Sequence, residues 1–135
     1  MIGIICAIFM GMTVSLKGQT MVGLSKEEVI AQVKADHREF HKDDSVIRQR
    51  FNYLKYVNRQ RTKTWIIYFT DQDICKTSKV VCDYSLLNEV IEEINVRCRK
   101  TGELTWEFTV NSDTIQVELI KQDWYFTVRE TLKAT

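Results

Sequence analysis

The stretch LTWEFTVNSDTIQVELIK, residues 104–121, decides the fold. Leu104, Trp106, Phe108 and Val110 alternate with Thr105, Glu107 and Thr109. Ile115, Val117 and Leu119 repeat the alternation against Gln116, Glu118 and Lys121. A period of two puts the apolar set on one face of a strand and the polar set on the other. Asn111-Ser112-Asp113 lies between, residue types that turn a chain without glycine. The segment predicts an antiparallel hairpin with one dry face and one wet face. Gln122-Asp123 predicts the next turn, and Trp124 to Val128 a further strand.

Just upstream the period changes. Leu87, Val90, Ile91, Ile94 and Cys98 fall at i, i+3, i+4, i+7 and i+11, one apolar helix face. Ser85 is the expected start, with Glu89 near the positive end of the helix dipole. Arg97, Arg99 and Lys100 are placed in the last turn, and Gly102 just beyond. Further back, residues 75–82, 64–70 and 51–57 read as strands rich in branched and aromatic residues. Asp71-Gln72-Asp73 and the polar segment 58–63 form the turns between them.

A first helix opens at Leu24-Ser25-Lys26-Glu27-Glu28-Val29. Ser25 and Glu28 have the spacing of a capping box, and Leu24 and Val29 that of a hydrophobic staple. Val29, Ile30, Val33 and His37 give its apolar face. The predicted order is α-β-β-β-α-β-β-β, an α+β domain with an antiparallel sheet and both helices on one face. The pattern occurs twice, without a residue-level repeat between the halves.

Residues 2–16, IGIICAIFMGMTVSL, carry no charge. Spanning a hydrocarbon core takes about 20 apolar residues, so a run of this length matches the apolar part of a signal peptide. The expected division is 1–18 as leader, cut after Gly18, and 19–135 as one domain, exported to the periplasm or beyond. No basic residue precedes the run. Three origins fit this: a true start lying upstream, a weak leader, or translation beginning at Met21 with a cytoplasmic product.

Without Lys17, the chain's 19 basic residues fall to 18 and match its 18 acidic ones. A neutral domain has no long-range field to draw in nucleic acid or an anionic membrane. There is no proline, and only Gly23 and Gly102 lie beyond the leader. Phosphate-cradling loops need several glycines, so neither standard nucleotide-binding motif is present and no cofactor is expected.

His37 and His41 are the only histidines, at i, i+4. On a helix that spacing would place both rings on one side, as a zinc site requires. Arg38 stands where a zinc hydrolase needs glutamate. They remain weak metal candidates, and the competing reading is a solvated helix end.

Cys75 and Cys98 could pair if the third strand and the second helix ran back along each other. Seven strand steps and thirteen helical steps cover similar lengths, about 20 Å. The alternative is that Cys75, Cys82 and Cys98 are small buried hydrophobes. Arg50, Lys55, Arg59, Arg61 and Lys63 lie among Phe51, Tyr53, Tyr56 and Trp65. They form a candidate interaction patch for a polyanionic glycan or an acidic protein, or simply a charged hairpin tip.

The opening Gly23-Leu24-Ser25-Lys26-Glu27-Glu28-Val29-Ile30 resembles that of small envelope proteins of the SmpA/OmlA type, in which a short helical part precedes an antiparallel sheet. Together with Gly18-Gln19-Thr20 and Cys82-Asp83-Tyr84, it also resembles short exported α+β proteins common in Bacteroidetes. The resemblance implies export and carries no activity. The expectation is a non-enzymatic binding module for a protein or glycan, able to self-associate through sheet edges. The alternative is a small metal-dependent enzyme using His37 and His41.

Overall fold

The computed structural model describes residues 20–44 and 51–134. The leader expected at 1–18 and the patch candidate Arg50 lie outside the described residues. The elements run α1 (Lys26–Asp36), β1 (Phe40–Lys42), β2 (Tyr53–Asn58), β3 (Lys63–Phe69), β4 (Cys75–Cys82), α2 (Leu87–Arg97), β5 (Arg99–Gly102), β6 (Thr105–Val110), β7 (Asp113–Lys121) and β8 (Phe126–Leu132). The strands form one antiparallel sheet in the order β1-β2-β3-β4-β8-β7-β6-β5. Each half is one helix followed by four strands, and β4 against β8 joins them.

The α+β architecture with an antiparallel sheet is as expected, but the order gains a strand in each half. β1 lies in the charged segment after α1, and β5 takes Arg99, Lys100 and Gly102 away from the end of α2. Both are short edge strands, and all of β5 is exposed. β5 has no buried face and β1 buries only Phe40, in part, so neither shows alternating hydrophobicity for a sequence reading to detect.

The local chemistry explains the boundaries. Ser25 caps α1: its hydroxyl accepts from the Glu28 N–H at 3.2 Å, while the Glu28 carboxylate accepts from the Ser25 N–H at 3.0 Å. Ile30 is exposed, so the buried side of α1 narrows to Val29 and Val33. At α2 the expected Ser85 cap is replaced by Asp83, which accepts from the Ser85 N–H and starts a short 3-10 turn leading into the helix. The β6–β7 hairpin turns on Asn111 and Ser112, both with positive φ (50° and 72°). Two left-handed residues give the tight turn whose twist matches the strands.

The register divides the strands' side chains between two faces. Tyr56, Trp65, Val80, Val128 and Leu119 are successive partners across β2, β3, β4, β8 and β7. The parallel row runs Leu54, Ile67, Ser78, Glu130, Val117 and Trp106. Val29 and Val33 of α1 pack in a cluster with Leu54, Tyr56, Trp65, Ile67, Phe69 and Cys75. Val90 and Ile94 of α2 pack in another with Cys82, Cys98, Trp106, Val117, Leu119, Phe126 and Val128. Each helix thus serves its own half, and Val80 touches both clusters.

Candidate functional site

The row from Leu54 to Trp106 is apolar except at its centre, where Ser78 of β4 faces Glu130 of β8. This is the seam between the halves, and a cleft of about 360 Å³ opens over it. β3 and β4 supply Lys63, Trp65, Ser78 and Val80. The chain before and after α1 supplies Thr20, Met21, His37, Glu39 and Phe40. α2 supplies Glu93 and Arg97, and β8 supplies Glu130. The volume is near the small end for ligand pockets, at about 300–1,000 Å³.

The aromatic side of the cleft is tied together by a hydrogen bond and ring contacts. The Trp65 indole N–H donates to the Ser78 hydroxyl at 2.8 Å. The His37 ring stands edge-on to Trp65 with centroids 4.9 Å apart, and Phe40 sits 5.2 Å away. Burial lowers the His37 pKa, with Glu39 and Asp36 opposing, so the ring is neutral at pH 7.

The polar side is less settled. Glu130 Oε2 lies 3.5 Å from the Arg97 guanidinium, longer than a tight charge-assisted hydrogen bond. The Thr20 hydroxyl bonds the same carboxyl. Glu130 Oε1 is buried and makes no hydrogen bond among the described residues. Burial raises the Glu130 pKa, against the opposing pull of Arg97 and Thr20. Lys63, Glu39 and Glu93 form no ion pair among the described residues.

No family model, curated protein or solved structure matches the chain. The cleft must therefore be read from its own chemistry: an aromatic wall, an acid with one buried and unbonded oxygen, and charges of both signs that form no ion pair among the described residues.

The metal candidates are separated by the sheet. α1 ends at Asp36, so His37 and His41 do not share a helix face. His37 packs on Trp65 in the cleft, whereas His41 pairs with Val57 on the opposite face and accepts from Arg59 at 3.3 Å. Among the described residues no group of three or more His, Cys, Asp or Glu could hold a metal ion.

The basic patch is also divided. Lys55 is on the face opposite the clusters and pairs with Asp43 at 3.3 Å. Arg59 and Arg61 occupy the β2–β3 turn. Lys63 faces the other way, into the cleft.

Cys75, Cys82 and Cys98 are free and buried. The Cys75–Cys98 bridge is not formed because α2 packs over the second half instead of running back along β4, leaving the two thiols in different clusters. Burial pushes the Cys75 thiol up to about 12 and the Cys82 thiol to about 11. Neither is an activated nucleophile at neutral pH. Among the described residues no helix is long and apolar enough to cross a membrane.

Ser78, Glu93 and Glu130 were not singled out by the sequence reading. For Glu130 a signal existed: Phe126, Val128, Glu130 and Leu132 alternate, so continuing the strand would have placed a charge at an inward position.

Proposed function

We propose that this chain is an exported, non-enzymatic binding module that takes the end of a glycan into the seam cleft. In this reading both helices lie on one sheet face, each over its own half, and the cleft is the gap between them. The inward parity shared by the two buried clusters supports that arrangement. The observation that carries the function is the polar interruption at Ser78 and Glu130 in an otherwise apolar row, opening into a cleft beside Trp65. A fold selected for stability alone would fill such a gap with apolar side chains. A sugar suits the site because its C–H face packs on an aromatic ring while its hydroxyls bond carboxylates and hydroxyls.

The export reading rests on the uncharged run at 2–16. Fractionating the source cell and measuring the N-terminus of the recovered chain tests it directly. For binding, a panel of neutral oligosaccharides is titrated into the isotopically labelled chain by NMR. The expected result is a saturable shift of the Trp65 indole signal and of resonances from His37 and Ser78. A panel that moves only residues outside the cleft would refute the assignment.

A further inference from the structure

The acidic side of the cleft narrows the ligand further, given the binding reading above. Glu39, Glu93 and Glu130 face two cations, Lys63 and Arg97. Arg97 lies 5.2 Å over the Phe108 ring besides approaching Glu130, so it is shared. Glu130 Oε1 has no hydrogen bond among the described residues and is shut off from water. A buried carboxylate oxygen without a donor is costly, and a ligand N–H relieves that cost. The terminal torsion of glutamate is soft, so turning the carboxyl presents this oxygen to the cleft that Glu130 lines, at the expense of its contacts with Arg97 and Thr20.

We propose that the cleft selects a compact ligand bearing a primary ammonium group, seated against the Glu130 carboxylate, with Glu39 and Glu93 adding negative charge around it. An amino sugar is the form that agrees with the glycan reading. The ammonium favours the ionised acid, so a Glu130 that carries its proton in the empty cleft gives it to the buffer on binding. No covalent bond forms or breaks apart from that proton transfer. The charged and titratable groups that line the cleft with Glu130 are Arg97 and Glu93 from α2, Lys63 from β3, and His37 and Glu39 after α1; the thiols of Cys75 on β4 and Cys98 after α2 also feel its charge. Thr20 contributes a hydroxyl.

The test uses matched probes that differ only by ammonium against hydroxyl: D-glucosamine with D-glucose, and tyramine with tyrosol. Each is titrated calorimetrically into the full chain as recovered from cells, in two buffers of different ionisation enthalpy. At least one amine is expected to bind about tenfold or more tightly than its alcohol, the size of a charge-assisted hydrogen bond. At a pH below the raised native value of Glu130, proton release should accompany that binding. In Glu130→Gln the gap should shrink to within about twofold and proton release should disappear.

Equal affinities within both pairs, or a gap that survives in Glu130→Gln, would overturn the proposal, as would failure of both amines to bind at about 10 mM. If alcohols or neutral sugars still shift the Trp65 signal, only the ammonium preference falls. If no sugar or amine perturbs the cleft, the glycan reading falls with it.

Discussion

Replacing Glu130 with glutamine should change how stability depends on pH, and the sign follows from the burial of its carboxyl. Burial raises the Glu130 pKa, against the opposing pull of Arg97 and Thr20. An acid whose pKa is raised by folding keeps its proton in the native chain after the unfolded chain has lost it. The unfolded carboxyl titrates near its ordinary value of about 4.3. Below that pH the contribution is fully present. From there up to the raised native value the native state binds the extra proton, so stability falls as pH rises. The slope approaches about 1.4 kcal/mol per pH unit for one proton. Above the native value the loss is complete and constant.

Glutamine has nearly the same shape and never ionises. Glu130→Gln should therefore match the parent at low pH and exceed it at neutral pH. The excess should be about 1–3 kcal/mol, the cost of a buried polar group without its partner. His37 acts with the opposite sign. Its lowered pKa makes the native chain gain stability as pH rises through the window below the ordinary imidazole value. Because both proteins contain His37, the difference curve isolates Glu130. Urea unfolding at half-unit steps from pH 4 to 8 supplies that curve, provided the m-values agree. A flat difference, or a parent that gains on the variant with rising pH, would show that the carboxyl is not desolvated as described.

Three further outcomes follow from packing and capping. Ile67→Ala, at a site with 0% exposure, should cost about 2–5 kcal/mol, whereas Ile30→Ala at 42% exposure should stay within about 0.5 kcal/mol in the same denaturation series. Ser25→Ala removes the capping box of α1 and should cost about 1 kcal/mol by chemical denaturation, with helix loss read by circular dichroism. Cys75 and Cys82, with thiols pushed up to about 12 and about 11, should resist iodoacetamide at pH 8 in the native chain. Both should react fully in denaturant; peptide mapping that finds either alkylated in the folded chain contradicts their burial.

The sequence made the two helices and six of the strands legible because each has a face that must be dry. Val117 and Trp106 are buried on β7 and β6, and the period of two follows directly from that. β1 and β5 were illegible because pairing with β2 and β6 orders them, with side-chain burial limited to Phe40 on β1 and absent on β5. The cleft was illegible for a different reason. Its residues come from α1's flanks, β3, β4, α2 and β8, and the β4–β8 pairing that brings Ser78 opposite Glu130 is set by chain reversal between the halves. The His37–His41 metal candidate and the Cys75–Cys98 bridge failed on the same point, while the alternative reading of the cysteines as small buried hydrophobes agrees with the structure. Spacing along the chain suggested proximity for His37 with His41 and for Cys75 with Cys98. The sheet divides the first pair, and the two-cluster core divides the second.

Whether the seam is polar for structure or for binding can be decided at one position. Glu130→Leu removes the buried acid and adds apolar bulk beside Val80, leaving the Trp65–Ser78 hydrogen bond untouched. Arg97 keeps solvent contact, with 32% of its side chain exposed, so losing the Glu130 carboxylate does not strand it in the core. Replacing a whole buried ion pair by apolar groups is often neutral or stabilising, by about 1–4 kcal/mol, whereas removing one partner is costly when it strands the other in the core; Arg97, exposed as it is, escapes that second case. If Glu130 serves binding, the leucine variant should be at least as stable as the parent at neutral pH and should lose its response to ligand. If Glu130 instead clamps Thr20 and Arg97 together, the variant should lose stability, and the segment before α1 should exchange its amide hydrogens faster. A destabilised variant that still binds ligand would place the function outside the seam.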